Sequence, residues 1–169
     1  MKKILILLLM LIIGCSINAQ TISRSHMGIS LHMDKDQAIS TLKKKGMVIT
    51  ETESDYFEEY TFAYKNGKSF TYENFSWKEI SLDFLNGKVT AIKFGKYYKT
   101  SEQGYAALNT IYKYYNSKFP LDQFSEDSFD DFYYYDTKTL LFIGINPYSY
   151  HVSIDFRDGD DYYEWRAAH

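Results

Sequence analysis

The chain has 169 residues, of which 45% are hydrophobic and 18% aromatic, with a net charge of −3 and a single cysteine. An acidic chain with no basic stripe is a poor ligand for nucleic acid and is repelled by anionic lipid headgroups. One thiol excludes any intrachain disulfide or thiol metal cluster, so stability has to come from the core.

Residues 1–20 have the layout of an export signal: Lys2 and Lys3, an unbroken apolar run from Ile4 to Ile13, then small and polar residues ending at Ala19. The run falls short of the ~20 apolar residues that a membrane-spanning helix needs. Two processing outcomes compete. Ile17-Asn18-Ala19 offers cleavage after Ala19, whereas Ile12-Ile13-Gly14-Cys15 reads as a lipobox in which Cys15 becomes a lipidated first residue. Either way the expected location is beyond the inner membrane: periplasmic, anchored to the outer membrane, or extracellular, with membrane contact only through a lipid on Cys15. Loss of Lys2 and Lys3 takes the net charge to −5.

After a polar tether, His26 to Met33 reads as a short extended lead-in. The first helix follows, with Asp34 and Gln37 as a capping box, Ala38, Ile39 and Leu42 at helical spacing, Lys43 to Lys45 at the carbonyl end and Gly46 as the stop. Met47 to Thr52, Glu58 to Tyr64 and Ser69 to Phe75 then read as strands. The last two form a hairpin across Lys65-Asn66-Gly67-Lys68, with Phe62 opposite Phe70 and Tyr60 opposite Tyr72. Trp77 to Leu85 turns at Asn86-Gly87 into Lys88 to Gly95, setting Phe84 against Val89 and Leu82 against Ala91. Ile92 and Phe94 then fall on the other side, so either a bulge intervenes or both faces are covered. A second helix begins at Thr100, with Gln103 three residues on, and runs along a stripe of Leu108, Ile111, Tyr112 and Tyr115 to Phe119-Pro120. Beyond an acidic connection, Phe132 to Tyr135, Leu140 to Ile145, Tyr150 to Phe156 and Tyr162 to Trp165 read as four strands.

One pattern occurs twice. Ile80-Ser81-Leu82-Asp83-Phe84-Leu85-Asn86-Gly87 is echoed by Val152-Ser153-Ile154-Asp155-Phe156-Arg157-Asp158-Gly159, each an alternating strand running into a Gly-containing turn. The copies lie 72 residues apart and the two helix caps 66 apart. These spacings predict an α+β fold of two tandem repeats, each a helix plus an antiparallel β-meander, over 27–98 and 99–169, with the helices packed on one side of the sheet.

Tandem helix-plus-four-strand units in an exported chain resemble the architecture of β-lactamase inhibitory protein, whose sheets form a concave partner-binding surface. The run Met27-Gly28-Ile29, with Ala38-Ile39, Leu42 and Lys45-Gly46-Met47, is also similar to the start of short exported bacterial proteins of unknown function. The disulfides of the inhibitor have no counterpart here, and its activity is not carried over.

No catalytic device stands out. His151, Ser153 and Asp155 alternate along one strand, where neighbours on a face are about 6.6 Å apart and point in parallel, too far for proton transfer. Asp158-Gly159-Asp160-Asp161 with Glu164 lacks the spacing of a calcium loop, and His26, His32, His151 and His169 have no zinc spacing. No cofactor is expected. The remaining signal is aromatic. Consecutive aromatics on a strand cannot all face one core, which leaves Tyr97, Tyr98, Tyr133, Tyr135, Tyr163 and Trp165 as candidate binding residues, unless loops or a helix cover that second face. The expectation is a non-enzymatic module that contacts an envelope or secreted protein through an aromatic and acidic sheet face, with a glycan as the alternative partner.

Overall fold

A computed structural model describes residues 21–54, 56–123 and 132–168, and the expected export signal with Cys15 falls outside them. The lead-in forms a two-residue pair, β1 (Ser25–His26) with β2 (Ile29–Ser30). Helix α1 (Lys35–Lys44) follows, burying Ala38 and Leu42 one turn apart on the same stripe. Asp34 is its N-cap residue, but without a capping side-chain hydrogen bond, because its carboxylate is held by Lys88 Nζ at 2.7 Å.

Strands β3 (Met47–Ser54) and β4 (Glu58–Tyr64) come next, then the short pair β5 (Phe70–Tyr72) and β6 (Phe75–Trp77), then β7 (Glu79–Leu85) and β8 (Lys88–Tyr97). Helix α2 (Ser101–Asn116) is capped at Thr100, whose hydroxyl accepts from the Gln103 N–H, and it buries Leu108, Ile111 and Tyr115. The chain continues through β9 (Asp122–Gln123), β10 (Phe132–Tyr135), β11 (Thr139–Asn146) and β12 (His151–Asp158) into α3 (Gly159–Ala168).

The expectation of two tandem helix-plus-meander repeats is overturned by this architecture. Strands hold 47% of the described residues and helices 25%, and a single antiparallel sheet of eight strands runs β3-β4-β7-β8-β12-β11-β10-β9. No seam divides it, since β8 and β12 pair in seven-residue register from His151 opposite Tyr97 to Arg157 opposite Ala91.

Local chemistry explains the other departures. The segment expected to pair with β4 is diverted by Glu73 and Asn74, both at positive φ, into its own β5–β6 hairpin with Phe70 opposite Trp77. β4 pairs with β7 instead, setting Phe62 against Ile80 and Tyr60 against Leu82. Asn86-Gly87 does make the two-residue turn, at φ 52° and 74°, and a register shift between Asp83 and Phe84 places Leu82 opposite Ile92 and not Ala91. The second copy of the pattern makes no hairpin. Asp158 Oδ1 accepts from the Asp160 and Asp161 N–H groups at 3.1 and 3.2 Å, so Asp158-Gly159 starts a helix, and Tyr162 to Trp165 lies in that helix and not in a strand.

One face of the sheet carries the core. Phe62, Ile80, Leu82, Ile92, Phe94, Leu141, Ile143, Ile154 and Phe156 are buried there beneath α1, α2 and the β5–β6 hairpin. Phe94 is its hub, stacked on Tyr72 at 4.1 Å and near Phe70, Trp77 and Phe156. Helix α3 departs from the expectation of helices on one side only. It lies against the opposite face, where Tyr162 meets Phe142 and Tyr163 meets Tyr135, both at 5.5 Å between ring centres.

Candidate functional site: the open sheet face

Alternation along antiparallel strands lines up every second residue across the sheet, so the face away from α1 and α2 can be read as rows. One row runs Glu51, Thr61, Ser81, Lys93, Asp155, Phe142, Tyr133, and the next runs Glu53, Glu59, Asp83, Ala91, Arg157, Leu140, Tyr135. A third holds Glu79, Gly95 and Ser153, and a fourth Tyr97 and His151. Helix α3 covers the β10–β11 end. The rest forms a concavity of about 410 Å³ lined by Glu51, Glu53, Glu59, Glu79, Lys93 and Tyr97 among others. A second hollow of about 210 Å³ beside it is lined by Tyr56, Phe57 and Arg157.

The floor is an ion-pair network. Lys93 Nζ lies 2.6 Å from Glu59 and 2.8 Å from Asp83, and Arg157 reaches Asp155 Oδ2 at 2.6 Å with Asp83 at 3.8 Å. Burial pushes the Asp83 carboxyl up to about 6, with Asp155 adding to it, against the pull of Lys93 and Arg157. Burial alone would lower Lys93, but Asp155, Asp83 and Glu59 share its charge and hold it above the usual lysine value. Thr61 and Ser81 exchange a hydroxyl hydrogen bond at 2.7 Å between these charges and the outer strand.

Two cations therefore face six carboxylates across the two hollows, and the excess is not spread evenly. Glu51 and Glu53 on β3 are exposed, and no cation among the described residues pairs with them. Among the described residues the one basic side chain that meets Glu79 is His151, through Nε2 at 2.8 Å. The His151 ring lies across Gly95 and against Tyr97, 4.4 Å between centres. His151 and Asp155 thus have separate partners, Glu79 and Arg157, and with Ser153 between them they do not form a triad.

The six aromatics singled out in sequence do not form one surface. Tyr97, 59% exposed, stands at one end of the open face. Tyr133 and Tyr135 stand on β10 at the other, where Tyr163 of α3 packs on Tyr135 and Tyr133 lies against Phe142. Tyr98 points to the other face and packs against the core. The Trp165 side chain lies outside the described residues, as does Cys15. What sequence reading missed is the carboxylate set. Its signal was present in the polar positions of β3, β4 and β7, but which strands lie side by side could not be read from it.

Among the described residues no helix is long and apolar enough to cross a membrane. No family model, no curated protein and no solved structure matches the chain.

Proposed function

We propose that the protein is an exported, non-enzymatic binding module whose open sheet face receives a cationic, extended segment of an envelope or secreted protein. The observation that carries this reading is the pair of carboxylates without a cation among the described residues, Glu51 and Glu53, with Glu79 met by the His151 imidazole, at the rim of a concavity of about 410 Å³ whose lysine and arginine are already paired. Complementary charge gives such a surface its on-rate and its selectivity. Strand β3 adds a second means of recognition. It is the outermost strand on its side of the sheet, so its free edge offers backbone hydrogen bonds to an extended chain while Glu51 and Glu53 flank the lysines or arginines of that chain. The leader at 1–20 supports export, and the acidic charge argues against nucleic acid and anionic lipid.

The test is titration with a fluorescent extended peptide carrying lysine at alternate positions, against a glutamine-substituted control. The wild type is expected to bind the lysine peptide with an affinity that falls as salt rises, and Glu51→Lys with Glu53→Lys should abolish binding. Equal binding of both peptides, or no loss in the reversed variant, sinks the reading. The exposed ring of Tyr97 beside Glu79 favours a glycan as the second reading, since an aromatic platform next to a carboxylate suits a sugar ring. Glycan binding lost in Tyr97→Ala but retained after charge reversal would select it.

A further inference from the structure

The end of β12 holds a second cluster, on residues that the proposed binding surface does not use. His32 leaves the lead-in at φ 67°, with its N–H donated to the Val89 carbonyl at 2.7 Å. Its imidazole Nε2 stands 3.1 Å from Asp158 Oδ2 at the end of β12 and 3.7 Å from Asp161 Oδ2 in the first turn of α3. One ligand atom from each of the three residues lies within 4.8 Å of the others.

We propose that His32, Asp158 and Asp161 form a binding site for a divalent transition-metal ion, with Zn2+ as the best-fitting cation. Four ligands at about 2.0–2.1 Å around tetrahedral zinc stand roughly 3.3–3.4 Å apart, and the two histidine-to-carboxylate separations bracket that value. One imidazole with two carboxylates is a zinc-type donor set. Calcium takes six to eight oxygens, and magnesium prefers carboxylates and water to imidazole.

The ligands also differ in how firmly they are held, as a working site requires. Asp158 is buried, its side chain 4% exposed. Its Oδ1 is committed to the N–H groups of Asp160 and Asp161, and Arg24 binds Oδ2 at 2.5 Å. Arg24 donates to the same Oδ2 that His32 approaches, and a carboxylate oxygen has two lone pairs, so a bound ion shares Oδ2 with the guanidinium or displaces it. His32 is 57% exposed in its side chain and lies at the solvent side of the cluster, leaving a fourth position for water. Because the ligands come from the lead-in, β12 and α3, a bound ion ties the start of the described chain to its end.

Calorimetric titration of the tag-free protein with Zn2+ tests this, together with His32→Ala, Asp161→Asn and, as a control on the other accessible imidazole, His151→Ala. The expected result is one equivalent bound by the wild type and by His151→Ala, with at least a roughly tenfold loss of affinity in each of the other two. Zn2+ should raise the melting temperature of the wild type, and EDTA should reverse the rise. Both lost ligands are on the surface side of the cluster, so metal-free melting of these variants is expected near that of the wild type. No saturable binding by the wild type, undiminished binding by either ligand variant, or loss of binding in His151→Ala would overturn the assignment.

Discussion

His26 gives the sharpest handle on how this fold responds to acid. The ring is 2% exposed, stacks on Phe156 at 3.8 Å between centres, hydrogen-bonds the Tyr72 hydroxyl and lies 2.7 Å from the Ser23 carbonyl. Burial drives its pKa from the usual 6.5 down to about 4, against the smaller upward pulls of the Ser23 carbonyl and Glu73. Between those two values the unfolded chain carries a proton on His26 that the folded chain lacks, so stability rises with pH through this window. The contribution is complete above pH 6.5 and is lost as the pH falls towards 4. At 1.36 kcal/mol per unit, acidification from pH 7 to 4.5 removes about 2 kcal/mol through this one ring. The assay is urea unfolding of the wild type and of His26→Phe at both pH values. The phenyl ring can keep the stack on Phe156 but cannot take up a proton, and Asp83, which also titrates near this window, is present in both proteins and cancels in the double difference. The variant should lose about 2 kcal/mol less than the wild type on acidification. Equal losses would refute the claim that the lead-in buries a neutral histidine.

Two further substitutions probe the two faces of the sheet. Phe94→Ala removes the ring on which Tyr72, Phe70 and Trp77 converge and should cost about 3–5 kcal/mol with an unchanged urea m-value, whereas a cost under about 1 kcal/mol would contradict the central place given to this ring. Gly95→Ala would put a Cβ 2.3 Å from His151 Nε2 and 2.8 Å from Glu79 Oε1. Both atoms are tips of side chains only 24% and 23% exposed that must shift to make room, so the expected cost is about 1–3 kcal/mol in urea unfolding, and a more stable variant would show that the imidazole does not lie over this position.

Local signals in the sequence carried the single elements. Thr100 with Gln103, the Leu108–Ile111–Tyr115 stripe and the Asn86-Gly87 turn each act over eight or fewer residues of chain, and each is found where its chemistry places it. The alternation of Ile80, Leu82 and Phe84 likewise marked a half-buried strand and its inward residues. Local signals misled where two of them competed. Asn66-Gly67 read as the hairpin turn, yet Glu73-Asn74 closes the hairpin, and Phe70, Tyr72 and Trp77 pack on Phe94 instead of extending the sheet at β4. Asp158-Gly159 matched a turn by composition, but the Asp158 side chain satisfies the first N–H groups of α3 and commits the chain to a helix.

Which strands lie side by side is a property of long-range pairing, and it is there that tertiary structure decided the rest. Pairing of β8 with β12 joined two apparent repeats into one sheet and brought Lys93 opposite Asp155, residues 62 apart in sequence. The same pairing made isolated polar positions on β3, β4 and β7 into a carboxylate surface, and it split the aromatics chosen from sequence between two faces and two ends. His32, Asp158 and Asp161 show no metal spacing along the chain because imidazole and carboxylates reach one another only after the lead-in crosses to the end of β12. Hydrophobic period and turn chemistry therefore set what most segments are, Asp158 to Trp165 excepted, while the burial shared between distant segments set where their polar side chains meet.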